Sequence, residues 1–416
     1  MKATNRGDSA LERLMALRRM RALSRTKSVQ AERQIILLSA ATAARRAEMS
    51  GLAARLLAEV DWVRLTSTLR ARRLLPTLGP RIVELAGPRS DPGFAAAVEE
   101  SLEAARIQGA LLQLVCIRAM KALDDAGIPS AALKGPLLAE AVFGDIGRRI
   151  SNDVDLLVAP ERLHGAVEVV REMGYAAPRD YVDASGMPTV HFALSHERAA
   201  LPAVELHWRT HWYEPRFARE RLLPQAKSQS SDWRPAPADE LVSLLLFYAR
   251  DGFVDLRLAI DIGAWWDTFG GAVRPGAVDE VLHVYPALAR AIKVSMKVAE
   301  VTVGLPLRSI VASAPTLNTR DRMAMRLADP NPTARRSQLY ANMGLIDGLL
   351  APVGGLGAFV RRQIFLPREI FDERAQEIPG WRSRSRVGYG GRTLTRYGFA
   401  MSRLLRTPEA LPGASR

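Results

Sequence analysis

Residues Ile128–Val158 read IPSAALKGPLLAEAVFGDIGRRISNDVDLLV, and this stretch decides how the rest of the chain is read. A short apolar run leads into Lys134-Gly135, then comes a short apolar helix, a polar Gly/Arg/Ser/Asn loop, and a strand carrying two acids. In DVDLLV the acids Asp153 and Asp155 are two residues apart. On a strand both carboxylates then leave the same face, with their Cα atoms about 6.6 Å apart. Side chains converging from that spacing can share one divalent cation or hold two. Two like charges beside Leu156, Leu157 and Val158 are costly to bury unless a cation neutralises them. The pair therefore reads as a magnesium site.

Downstream, Pro160 and Glu161 open a helix whose Leu163, Ala166, Val167, Val170 and Met173 face a sheet, and Gly174 closes it. Two alternating runs follow, PTVHFALSH and LPAVELHWR, joined by a polar turn; the pattern is that of a hairpin. In the second run Val204, Leu206 and Trp208 face one way, and Glu205, His207 and Arg209 the other. Glu205 can thus join the two aspartates from a neighbouring strand.

The combination of LKG, R-x-S-x-D-x-D (Arg149, Ser151, Asp153, Asp155) and a later E-x-H-W strand resembles the polymerase-β-like nucleotidyltransferase superfamily. Within it, the chain is most similar to the bacterial uncharacterised nucleotidyltransferase family. The resemblance runs from about Ala31 to about Arg406 and is strongest between Leu133 and Arg209. It implies an α+β fold, with a small mixed-sheet core flanked by helical regions. It also implies metal-dependent transfer of a nucleotidyl group from an NTP such as ATP to an acceptor hydroxyl, with Mg²⁺ or Mn²⁺ held by Asp153, Asp155 and Glu205. Lys134, Gly135, Arg149 and Ser151 would then bind the nucleotide, and His207 would stand behind the acids or on the substrate side. The chain departs from the commoner Gly-Ser turn of the superfamily, with Lys134 before Gly135 and Pro136 after it. Proline lacks an amide donor, so phosphate contact shifts towards Lys134, Arg149 and Ser151. That departure keeps open an alternative, a degenerate nucleotidyltransferase acting as an NTP-binding, nucleic-acid-binding or scaffold module.

Histidines define a rival. His191, His196, His207 and His211 lie within a short span together with Glu205, a set that could bind zinc. The frame H-W-R-T-H lacks the Glu of H-E-x-x-H and starts on a strand, and two aspartates at period two suit hard magnesium better.

The remaining chain bounds the reading. A length of 416 residues, 48% hydrophobic and 25% charged, describes a globular protein of two to three domains' worth of chain. We delimit a basic helical segment at 1–30, a helical region at 31–125, the α/β core at 126–235 and a second helical region at 236–416. Pro88 and Pro92 break the chain between Gly87 and Gly93, and a long amphipathic helix runs from about Gly93 to Ala126. Its Cys116, the single cysteine, reads as a core thiol and excludes an intrachain disulfide. After Ala238, DELVSLLLFYARDGFVDLRLAIDIGAWWDTF reads as two helices split at Asp251-Gly252, with Asp261 as a capping or salt-bridging acid. Further helices are expected around Val278–Val303, Asp321–Leu327 and Ser337–Leu350. The Gly354-Gly355/Gly357 cluster lacks the strand-to-helix setting of a phosphate loop. No run is long enough for a transmembrane segment, and Met1–Ala10 has no hydrophobic signal core, so a cytoplasmic protein is expected. The net charge of +14 gathers at the ends, from Arg13 to Lys27 and from Arg382 to Arg406. It reads as a solvated face or as a surface for an anionic partner. The acceptor, whether protein, RNA, sugar or small peptide, is not encoded in any of these motifs.

Overall fold

The computed structural model describes residues 27–176, 191–198, 200–211, 213–214, 216–223, 234–254, 256–313, 315–328 and 336–352, with a few isolated positions beyond. The basic termini lie almost wholly outside them.

Helix α1 spans 27–40, followed by α2 (Ala43–Glu48), α3 (Ser50–Leu57), α4 (Trp62–Ala71) and α5 (Leu75–Ala86). Asp61 caps α4 by accepting from the Arg64 amide, and Asp91 caps α6 (Pro92–Asp125) by accepting from the Phe94 amide. The expected break falls between α5 and α6, where Gly87 takes φ +53. Helix α6 is 34 residues long, and its two ends serve different cores. Phe94 and Val98 pack among the N- and C-terminal helices, whereas Leu112, Val115, Cys116, Ala119 and Leu123 pack against the sheet.

The core then unfolds as the sequence pattern indicates: β1 (Ser130–Ala132), α7 (Pro136–Phe143), β2 (Asp153–Val158), α8 (Leu163–Glu172), β3 (Tyr175–Ala176), β4 (His191–His196) and β5 (Ala203–His207). The five strands form one mixed sheet in the order β1-β2-β5-β4-β3. Only the central pair, β2 and β5, is parallel; β1–β2, β5–β4 and β4–β3 are antiparallel. Strand alternation gives this sheet two unlike faces. Val154, Leu156, Val158, Val204, Leu206, Phe192 and Leu194 bury one face against α8 and the second half of α6. The other face carries Asp153, Asp155, Glu205 and His207, together with Leu157, which joins the larger helical core.

That larger core is organised on α9 (Pro237–Arg250), in which every residue from Leu241 to Ala249 is buried. Such a helix, apolar all round, belongs at the centre of a bundle. Gly252 at φ +64 ends the turn into α10 (Leu256–Phe269). The stretch Val278–Val303 is divided into α11 (Ala277–Val284) and α12 (Ala289–Val303), because Pro286 cannot continue a helix. Helices α13 (Thr319–Leu327) and α14 (Arg336–Leu350) complete the described chain. The fold class is the α+β arrangement expected, a mixed sheet flanked by helices.

Candidate active site

Register builds the site. The parallel pairing of β2 with β5 sets Asp155 opposite Glu205, and Asp153 opposite Ala203. His207, two residues after Glu205, leaves the same face, and the antiparallel pairing of β4 with β5 sets His191 opposite it. One nitrogen, His207 Nε2, lies 2.9 Å from Asp155 Oδ1 and 3.3 Å from Glu205 Oε2. His191 Nε2 lies 3.5 Å from the same Glu205 oxygen. Asp155 and Glu205 therefore meet at His207 Nε2, with Asp153 on the same sheet face two residues before Asp155.

Lys134 arrives from the sheet edge. The Leu133 amide donates to the Asp155 carbonyl at 3.2 Å, continuing β1 by one residue, and the next side chain reaches back to place Lys134 Nζ 3.3 Å from Asp155 Oδ1. Gly135 then takes φ +88 and ψ −145 at the start of α7, with Pro136 in the first turn. That backbone region is essentially open to glycine alone. No atom lies within 4 Å of where a Cβ would stand. Conformation, and not crowding, thus requires glycine here.

Arg149 is placed differently from the acids. Its Nε donates to Asp261 Oδ2 at 2.9 Å and its Nη1 to Ser151 Oγ, and its side chain is only 9% exposed. Gln108 on α6 holds the Ser151 carbonyl at 2.9 Å. The polar loop before β2 is thereby pinned to α10 and α6, and Asp261 takes the salt-bridging role expected of it.

Burial and charge pull these groups apart. At Asp155 burial alone would raise the pKa, but Lys134, the His207 hydrogen bond and Arg250 outweigh it and hold the carboxyl well below its usual range. Glu205 is lowered too, burial being overcome by the imidazoles of His207 and His191. Asp153 moves the opposite way, raised by burial and by the charges of Asp155 and Glu205. His191 is pushed down to about 4, by burial first and then by His207. A depressed histidine pKa means that the unfolded chain takes the proton first. Its contribution to stability is therefore complete above the ordinary value of 6.5 and is lost as pH falls towards about 4. With the side chain 35% exposed, solvent screens part of the effect. Urea midpoints of metal-free protein should fall over that window, and His191→Gln should flatten the slope.

Sequence reasoning did not reach Arg250 and Phe247, both on α9. The Phe247 ring carries Arg250 at 4.6 Å and Lys134 at 5.2 Å from its centroid, and meets the His207 ring edge-on at 6.2 Å. Arg250 is 11% exposed and 3.5 Å from Asp251 through Nε, while its Nη1 is buried with no hydrogen-bond partner among the described residues. A charged residue closing an otherwise buried helix was the available signal. Of the four histidines of the zinc rival, only His191 and His207 converge. His196 accepts from the Arg198 amide and packs edge-on to Tyr175, and His211 sits in a bridge with Glu214. Cys116 is buried in the core, its thiol pushed up to about 12.

Comparison with known proteins bears on this geometry. The sequence model of a family described as uncharacterised nucleotidyltransferase matches residues 58–299, more than half of the chain. The chain belongs to that family. The matched span contains every candidate residue named above, Arg250 included, and membership supports a general nucleotidyltransferase role. No curated protein and no solved structure matches the chain. No helix among the described residues is long and apolar enough to cross a membrane.

Proposed function

We propose that the protein transfers a nucleotidyl group from an NTP to an acceptor hydroxyl, using divalent cations held by Asp153, Asp155 and Glu205. The observation that supports this reading is the register of two parallel, paired strands, which sets Asp155 opposite Glu205 with Asp153 two residues earlier on the same face. The donor set fits a cation. Asp153 is raised by burial and by its two acidic neighbours, and it accepts no hydrogen bond from a described residue. A buried carboxylate in that position is relieved by a metal. Mg²⁺ or Mn²⁺, when bound, would polarise the triphosphate and acidify the acceptor hydroxyl.

The chain's own residues do the rest. The acceptor oxygen forms its bond to the α-phosphorus as the bond to the β-phosphate oxygen breaks, and pyrophosphate leaves. A carboxylate oxygen of the acidic set takes the hydroxyl proton. Lys134 exchanges its contact with Asp155 for a phosphate oxygen, and the glycine turn admits the triphosphate beside it. Arg149 acts through Ser151, fixing the loop that leads into β2. Arg250, anchored on Phe247 with a buried Nη1 that has no hydrogen-bond partner among the described residues, offers a charge-assisted bond to the triphosphate that the amide missing at Pro136 cannot. Such a bond contributes about 1.5–3 kcal/mol. Arg250→Ala should therefore raise KM for the NTP by roughly 10- to 100-fold, measured by initial rates over a nucleotide series.

One observation favours the scaffold reading: Lys134 Nζ stands 3.3 Å from Asp155 Oδ1 and balances its charge. A calorimetric titration of ATP with and without Mg²⁺ separates the two. The transferase reading expects binding that requires the cation and weakens in Asp153→Asn. Binding indifferent to both would favour a scaffold.

A further inference from the structure

The contacts around His207 and Glu205 are of two kinds. His207 Nε2 to Asp155 Oδ1, at 2.9 Å, has hydrogen-bond length. Glu205 Oε2 to the two imidazole nitrogens, at 3.3 and 3.5 Å, is long for a hydrogen bond. It is instead close to the edge of a tetrahedral coordination shell, since ligands about 2.0–2.1 Å from a zinc ion stand roughly 3.3–3.4 Å from one another. The three donor atoms, one each from His191, Glu205 and His207, all lie within 4.8 Å of one another. Backbone register fixes this set: His191 faces His207 across β4 and β5, Glu205 precedes His207 on the same face, and the two rings stand 4.7 Å apart. His207 is fully buried, so its ring has little freedom to turn away.

We propose that His191, Glu205 and His207 form a site for a nitrogen-preferring divalent transition ion of the Zn²⁺/Co²⁺ class, separate from the oxygen-only pair Asp153/Asp155. Imidazole suits zinc and cobalt, while magnesium takes oxygen ligands. Two histidines and one carboxylate leave a coordination position open, as in sites that bind water or substrate. Glu205 belongs to both sets and couples them. His207 Nε2 cannot hold both a metal ion and the proton it shares with Asp155, so loading this site breaks that hydrogen bond and leaves Asp155 with Lys134. The site rests on the geometry of β4 and β5 and stands whether or not the chain transfers nucleotides.

The test uses the full chain, stripped with chelator, titrated with Co²⁺ under visible absorption and with Zn²⁺ against a chromophoric chelator. Wild type should bind one ion per chain, with the intense ligand-field bands of a low-coordinate cobalt centre. Losing a ligand should lower affinity by more than the roughly 10- to 100-fold that removal of an outer-shell partner costs. His191→Ala is the deciding variant, because that side chain is 35% exposed and its removal opens no cavity in the closed core; circular dichroism checks that the variant is folded. Absent cobalt bands in wild type, or wild-type affinity in folded His191→Ala, would overturn the proposal. No nucleotide enters the readout, so the result is independent of the transferase assay.

Discussion

Asp155→Asn should abolish transfer, by about 10³-fold or more, equivalent to roughly 4 kcal/mol of barrier, and should also weaken the fold. Asp153→Asn should abolish transfer equally but raise stability. The two aspartates share a strand face yet differ in what surrounds them. Asp155 is 2% exposed and is held ionised by Lys134 and His207. Removing its charge leaves the Lys134 ammonium facing a neutral amide, an uncompensated buried cation. Asp153 makes no ion-pair contact among the described residues, and the charges of Lys134 and Arg149 are outweighed by burial and by its acidic neighbours, so neutralising it relieves repulsion. The pH dependence carries the same signs. Asp155, depressed, stabilises the fold above the ordinary carboxylate range, and that contribution is lost only as pH falls below it. Asp153, raised, stabilises when protonated, and that contribution is lost as pH rises through its elevated pKa. Chemical denaturation of both variants in chelator, alongside transfer assays, checks the pair. Equal destabilisation by both substitutions would contradict the electrostatic account.

Lys134→Met should destabilise the metal-free protein by about 3–5 kcal/mol, the range for breaking a buried ion pair from one side. The lysine side chain is 16% exposed and the Asp155 side chain 1%, so water cannot replace the lost ammonium. The His207 hydrogen bond remains and draws the expected value towards the lower end. The double variant Lys134→Met/Asp155→Asn should recover much of that stability, since both charges are gone, while transfer stays lost. A double-mutant cycle on urea midpoints reads the coupling directly. Additive losses would show that Lys134 and Asp155 do not act as a pair.

Much of the fold was legible because it depends on local pattern. The period-two acids of β2, the hairpin of β4 and β5, the helix that follows Pro160 and the break before α6 are each written in a few consecutive residues. The glycine turn was legible too, and the φ of +88 at Gly135 is what requires glycine there. Contacts between distant segments were not legible. Arg250 lies nearly a hundred residues after Asp153, on a helix whose apolar sequence says only that it is buried. The Arg149–Asp261 pair joins the loop before β2 to α10, and neither residue's neighbours announce the other. Among the histidines the sequence offered four candidates. Only the register of β4 on β5 separates His191 and His207 from His196 and His211. The termini that carry much of the +14 charge lie almost wholly outside the described residues, so an anionic partner for them remains an expectation.

The central claim is transfer of a nucleotidyl group, and the position of a label in the NTP tests it most directly. Protein, Mg²⁺ or Mn²⁺ and a cell extract are incubated with each NTP carrying phosphorus label at either the α or the γ position. The account predicts that α-label alone becomes attached to an acceptor, with pyrophosphate released in equal amount, and that Asp153→Asn attaches none. Attachment of γ-label, or α-label transfer undiminished in Asp153→Asn, would contradict it.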